Sequence, residues 1–246
     1  DPGKGLIGRI RQGWKESTKP DYVIAAGHST NLPLLFAARK SGAHSIVLMK
    51  PGLPMMLFGT CIVPEHDFSR APHATNIITS KGALNRVVAA QCDRSGKLLL
   101  IGGPSKTHGY DQDALIRRIQ DIASEGGWEL ADSRRTPGTF LAALEKTVPG
   151  IPIYRHHETK PGWLAGRLST AQEVWVTEDS VSMVYETLTG GAKVGVLEMP
   201  RLRSNARVTR GLDTLKKEGY FNTGSGKQPA PLAEADRCAG IILENR

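Results

Sequence analysis

The sequence predicts an α/β protein built on parallel sheets. Short apolar runs alternate with segments of helical spacing along the whole chain, and glycines or prolines close many of the runs. The length of 246 residues is enough for two ordinary domains, each with a core that needs no disulfide or metal staple.

Residues 21–26 (DYVIAA) read as a short buried strand, and residues 31–40 follow with helical spacing. Residues 44–49 (HSIVLM), 60–63 and 75–79 (TNIIT) are strand-like. Residues 97–101 (KLLLI) form an apolar strand that ends in Gly102-Gly103-Pro104. Residues 111–124 form a helix, because Leu115, Ile116, Ile119, Ile122 and Ala123 share one face. A strand at 128–131, a helix at 139–146, a short strand at 151–154 and a helical turn at 163–168 come next. The strand 173–177 (EVWVT) runs into a helix over 180–189, and the strand 193–197 is closed by Pro200. Residues 208–218 and 232–243 read as helices. No fixed period repeats. The polar stretch 91–97 and the Gly/Pro/Ser-rich stretch 222–231 mark the breaks, giving domains over 1–92 and 93–227 and a C-terminal helix within 228–246.

Composition excludes several classes. With 39% apolar and 23% charged residues the chain is neither a disordered tail nor a membrane bundle, and no segment approaches the ~20 apolar residues of a membrane span. Cys61, Cys92 and Cys238 are sparse and form no CxxC pair, which argues against a disulfide framework and a cysteine zinc module and fits a reducing, cytoplasmic setting. The formal charge of +8 favours phosphates, nucleotides or a lipid surface as partners, although many soluble proteins are equally basic. Aromatics do not interleave with basic residues, so no nucleic-acid partner is expected.

Ligands of parallel sheets sit at the carboxyl ends of the strands, so the loops there carry the candidates. Gly102, Gly103, Pro104 and Ser105 follow a strand; their backbone is suited to close approach by a phosphate, or they form an ordinary glycine-rich turn. The stretch is neither a Walker loop nor GxGxxG. Ser133-Arg134-Arg135-Thr136-Pro137 places two guanidinium groups side by side, an arrangement that favours an anion; the alternative is a solvated loop before a helix. Asp179 or Ser180 caps the following helix, whose N-terminus at Ser180, Val181, Ser182 and Met183 suits a diphosphate. Glu186, about one and a half turns in, is placed to accept hydrogen bonds from ribose hydroxyls. In the first half, His66 beside Asp67 is a candidate general base, and His28 is a second; structural roles are the alternative for both. The adjacent His156 and His157 lack the spacing of a shared metal site, and no metal is expected.

Gly27-His28-Ser29-Thr30, Pro64-Glu65-His66-Asp67, Gly82-Ala83-Leu84, Ile101-Gly102-Gly103-Pro104, Ser133-Arg134-Arg135-Thr136-Pro137 and the stretch 177–186 resemble, in order and spacing, the mitochondrial-fission "elongated mitochondria" family, which has bacterial members. That family in turn resembles GT-B glycosyltransferases, which have two Rossmann-like domains facing a cleft. The resemblance implies a nucleotide-sugar donor in the second domain, with the Gly102–Ser105 loop and the Ser180 helix start at the diphosphate and Glu186 at the ribose. It implies that the helix at 232–243 packs back on the first domain. Family members begin with an extra strand and a polar glycine-rich loop not found before Asp21, so the acceptor side is expected to be incomplete. The segment Tyr154-Arg155-His156-His157 matches no base-specific pattern, which leaves the nucleotide open.

The leading expectation is therefore a metal-independent glycosyltransferase-like protein that moves a sugar from a nucleoside diphosphate to an acceptor hydroxyl. His66 or His28 would take the proton, and Arg134 or Arg135 would stabilise the leaving diphosphate. No cofactor is expected beyond the nucleotide-sugar substrate, and the acceptor and the protein are expected at, or peripheral to, a membrane surface. The rival expectation is a non-catalytic recruitment protein of the fission-factor type. An epimerase is weaker, because GxGxxG and a Tyr-x-x-x-Lys pair are absent.

Overall fold

Two separate parallel sheets account for the alternation of strands and helices. A computed structural model describes residues 19–70, 72–203, 207–221 and 230–244. Most of the expected linker at 222–231 lies outside the described residues. The chain divides into two units: residues 19–84 with 236–244, and the described residues between 85 and 235.

The first sheet has the order β1 (Tyr22–Ala26), β2 (His44–Leu48), β3 (Thr60–Pro64), β4 (Ile77–Ser80), all parallel. Helix α1 (Asn31–Ser41) joins β1 to β2 and ends at Gly42, whose φ of 71° is the left-handed cap that stops a helix. The crossover from β2 to β3 has no α-helix, only a 3-10 turn at Met55–Leu57. Strand alternation gives the sheet two apolar faces. Val23, Ala25, Val47, Cys61 and Val63 pack against Leu34 and Leu35 of α1 and Leu53, Met55 and Phe58 of the crossover. Ile46 and Ile62 on the other face pack with Tyr22, Leu48 and Ile78 against Cys238 and Ile242 of the last helix, α7 (Glu234–Glu244). The expectation of a buried first strand is corrected: among the described residues β1 is an outer strand of the sheet, and Ile24 is 61% exposed.

The second sheet has the order β7 (Ile153–Tyr154), β6 (Trp128–Ala131), β5 (Lys97–Leu100), β8 (Glu173–Thr177), β9 (Lys193–Leu197), again all parallel. The chain winds outward from β5 through β6 to β7, then returns to the other side of β5 for β8 and β9. The winding therefore reverses between β5 and β8, the place where open α/β sheets form their ligand crevice. Helices α2 (Gln112–Ala123), α3 (Gly138–Thr147), α4 (Trp163–Thr170), α5 (Val181–Gly190) and α6 (Arg207–Lys217) complete the unit. Asp111 caps α2 by accepting the Ala114 N–H at 3.0 Å, and Leu115, Ile116, Ile119 and Ile122 are buried as their spacing predicts. They pack with Leu99, Leu130, Phe140, Leu144 and Trp175 on one face. Leu98, Leu100, Val174, Val176, Val184 and Leu188 form the core of the other.

The expected first domain runs to residue 92, whereas the compact unit ends at residue 84. The reason is where the next segment packs. Val87 is buried with Leu98 and Leu100, and the N–H groups of Ala90 and Ser95 donate to the carbonyls of Ser169 and Thr170. The Arg94 guanidinium donates to the Ala171 carbonyl. These contacts fix residues 85–95 to the second unit.

Candidate functional site

In the second unit the loops after β5, β6 and β8 meet at the reversal point. Thr136 donates its hydroxyl to the carbonyls of Ile101 and Gly102, at 2.7 and 2.8 Å, and accepts the Ser133 N–H. Arg135 donates to the Gly103 carbonyl at 3.0 Å and pairs with Asp179 at 2.8 Å. Thr177 and Asp179 accept the N–H groups of Gly102 and Gly103 at 2.7 and 3.0 Å. Three motifs distant in sequence thus form one framework, because their strands are neighbours in the sheet.

This framework changes how several expected phosphate ligands are read. The N–H groups of Gly102 and Gly103 already have acceptors within the protein. The Ser105 hydroxyl accepts the N–H groups of Thr107 and His108, and Pro104 has no N–H. The glycines are required here by packing. A Cβ on Gly103 would lie 1.9 Å from the Arg135 carbonyl, and one on Gly102 would lie 2.4 Å from the Asp179 carboxylate. The anion that the Arg134-Arg135 pair calls for is, for Arg135, Asp179.

Other expected groups keep open valences. Arg134 is exposed and pairs with no carboxylate among the described residues. Ser180 caps α5, yet its side chain makes no capping hydrogen bond. The N–H groups of Val181, Ser182 and Met183, at the helix start, find no acceptor among the described residues. Glu186 is half-buried, has no hydrogen-bond partner among the described residues, and has its pKa pushed up by burial.

A second cluster supports the loop from behind. His108 is fully buried, with Nδ1 3.0 Å from the Thr107 hydroxyl and Nε2 4.0 Å from Glu178. Its backbone bridges to Arg201, whose side chain joins Glu178 and Asp213; both carboxylates, Asp213 foremost, raise the Arg201 pKa. Tyr110 is pushed up by burial and then by the charge of Asp179. Sequence reasoning missed this cluster and the tethering roles of Thr177 and Asp179. The available signal was a run of polar residues, Thr177-Glu178-Asp179-Ser180, that emerges from a buried strand. After β7, the His156 N–H donates to Asp132 at 2.5 Å and its Nδ1 lies 3.2 Å from the same oxygen, while Arg155 pairs with Glu145.

In the first unit, His28 lies in a 3-10 turn after β1, exposed, beside Gly52, where a Cβ would come within 2.9 Å of its ring. His66 and Asp67 form the 3-10 turn after β3, both partly buried. All three stand at the carboxyl end of the first sheet, as expected from the sequence, with β2 between the two turns. Among the described residues, no three His, Cys, Asp or Glu side chains gather as a metal-ligand set, and no helix is long and apolar enough to cross a membrane.

The family model for "Mitochondrial fission ELM1" matches residues 3–245. The chain belongs to this mitochondrial fission family. Within it, the Arabidopsis thaliana mitochondrial fission protein ELM1 is 22% identical over 237 residues, covering 79% of this chain. The chain spans about half the length of that relative, 55%. Among solved structures, a Listeria monocytogenes protein assigned as a UDP-N-acetylglucosamine 2-epimerase aligns with a TM-score of 0.58 at 13% identity, covering 99% of this chain and 81% of its own. A further UDP-N-acetylglucosamine 2-epimerase aligns at 0.50 with 12% identity, covering 97% and 76%. At such identities the likeness is one of fold: this member of the fission family is an α/β protein of GT-B type with parallel sheets.

Proposed function

We propose that this chain binds a nucleoside-diphosphate-sugar in its second unit and transfers the sugar to an acceptor hydroxyl. The observation that carries the reading is Glu186, a half-buried carboxylate without a hydrogen-bond partner among the described residues, one and a half turns inside a helix whose first N–H groups find no acceptor among them either. Burying a carboxylate without donors is costly, and two ribose hydroxyls supply donors of the right kind. The diphosphate is assigned to the N–H groups of Val181, Ser182 and Met183, the Ser182 hydroxyl and Arg134. Gly102, Gly103, Ser105, Arg135 and Thr136 are assigned to the framework that fixes the crevice wall. His66 or His28 is assigned to take the acceptor proton, and no metal or other cofactor is assigned.

A thermal-shift panel of UDP, GDP, ADP, CMP and TDP and their sugars tests this reading on the wild type and on Glu186→Ala. A ligand that binds only the folded state raises the midpoint by mass action. One nucleotide class is expected to stabilise the wild type, and Glu186→Ala is expected to weaken its binding by about 1–3 kcal/mol. A nucleotide that shifts both proteins equally removes Glu186 from the site.

A second reading is favoured by the framework itself. Two loop N–H groups and Arg135 are occupied internally, as in a crevice wall that has become structural. In that reading the chain is a non-catalytic recruitment module of the fission-factor type. No shift with any nucleotide at millimolar concentration selects it.

A further inference from the structure

The first unit carries its own exposed apolar layer. Helix α1 and the β2–β3 crossover both pack on the same face of the first sheet. Their outward sides hold Leu32, Phe36, Met56 and Leu57, and Met56 is 84% exposed. Single exposed apolar residues are ordinary; four large ones on one layer are not. Nor is the crossover a loose loop. Asn76 donates to the carbonyls of Met55 and Phe58 at 2.9 and 3.0 Å, Phe58 is buried, and Pro54 opens the turn. Met56 and Leu57 are therefore held outward by a clamped backbone.

The charge of this layer points to its occupant. Residues 22–64 contain no Asp or Glu at all, against three cations, Arg39, Lys40 and Lys50. Arg39 and Lys40 are exposed at the last turn of α1 and pair with no carboxylate among the described residues. Helix α1 and the crossover carry no carboxylate of their own, the stretch being bounded by the exposed Asp21 and Glu65; apolar tips beside Arg39 and Lys40 are complementary to a bilayer with anionic headgroups. A second copy of the chain would set these cations against their own equivalents.

We infer that the α1/crossover layer of the first unit docks on an anionic lipid surface, with Met56 and Leu57 entering the headgroup–acyl boundary and Arg39 and Lys40 on the phosphates. The inference goes beyond nucleotide binding and does not depend on it.

Vesicle flotation of the whole chain tests it, with phosphatidylcholine alone against phosphatidylcholine in which about a third is phosphatidylglycerol. The wild type is expected to float with the anionic vesicles and to be released by salt. Met56→Asp and the pair Arg39→Glu/Lys40→Glu are each expected to lose about tenfold in vesicle affinity. All of these positions are exposed, so Met56→Asp should keep the wild-type thermal midpoint, and Arg39→Glu/Lys40→Glu should fall only slightly below it because it sets acids at the C-terminus of α1. The inference is overturned if the wild type stays with the buffer, if both variants float as it does, or if light scattering shows a dimer that Met56→Asp dissolves.

Discussion

The guanidinium of Arg135, after β6, meets the carboxylate of Asp179, after β8, at 2.8 Å, and the N–H of Gly103 donates to the same carboxylate oxygen. One buried oxygen thus ties three strand-end loops together at the point where the sheet reverses its winding. Asp179 is fully buried in its side chain, whereas Arg135 is 40% exposed. Removing the arginine leaves a buried charge with a backbone donor and no counter-ion, which is worse than removing both.

Arg135→Met is accordingly expected to cost about 1–3 kcal/mol, a range that allows for the exposed side of the pair. The double variant Arg135→Met/Asp179→Asn should recover part of that loss. Urea unfolding of the four proteins in the cycle measures the coupling. Strict additivity would mean that the pair contributes nothing as a pair.

The two glycines of the β5 loop set a sharper test. Gly103→Ala drives a methyl into the Arg135 carbonyl, a backbone atom that cannot swing aside, and is expected to cost about 3 kcal/mol or to abolish folding. Gly138→Ala, at the first position of α3 with open space around it, should be neutral or gain up to about 1 kcal/mol. Equal midpoints for the two variants would contradict the geometry of the framework.

Glu186 gives a dependence on pH with a definite sign. Its pKa is higher in the folded protein than in the unfolded chain, because burial penalises the charged form. The folded state therefore binds the proton more tightly. The contribution of this group to stability is present below its unfolded pKa and is lost as pH rises through the folded one. Glu186→Gln should consequently melt above the wild type at neutral pH without ligand, and the gap should close in acid. A variant that melts lower at neutral pH would show that the carboxylate is already satisfied.

Thiol reactivity separates the three cysteines. Cys61 is buried and its thiol is pushed up to about 11 by that burial; Cys238 is buried as well, and Cys92 is exposed. Ellman titration of the native protein is expected to release one equivalent promptly, absent in Cys92→Ser, and the other two only on unfolding.

The sheets were legible because buried parallel strands are short apolar runs, and Lys97–Leu100 or Glu173–Thr177 admit few other readings. The α2 face was legible from its spacing alone. What each loop does was not. Arg135 reads as a phosphate ligand when its neighbours in sequence are considered. It is held by Asp179 because β6 and β8 flank β5, and that adjacency is a tertiary fact. The same holds for Gly103, whose tight neighbour is a carbonyl of another loop. The exposure of Ile24 in β1 was hidden for a related reason: an apolar run does not say how many layers will cover it.

Helix α7 follows the second unit in sequence, yet it covers Ile46 and Ile62 in the sheet of the first unit, which precedes it. During synthesis that sheet face emerges early and stays uncovered until Cys238 and Ile242 have left the ribosome. The second unit, continuous in sequence, can close first. The nascent first unit is thus a waiting, sticky surface while the second unit is being made, and it closes only when α7 arrives.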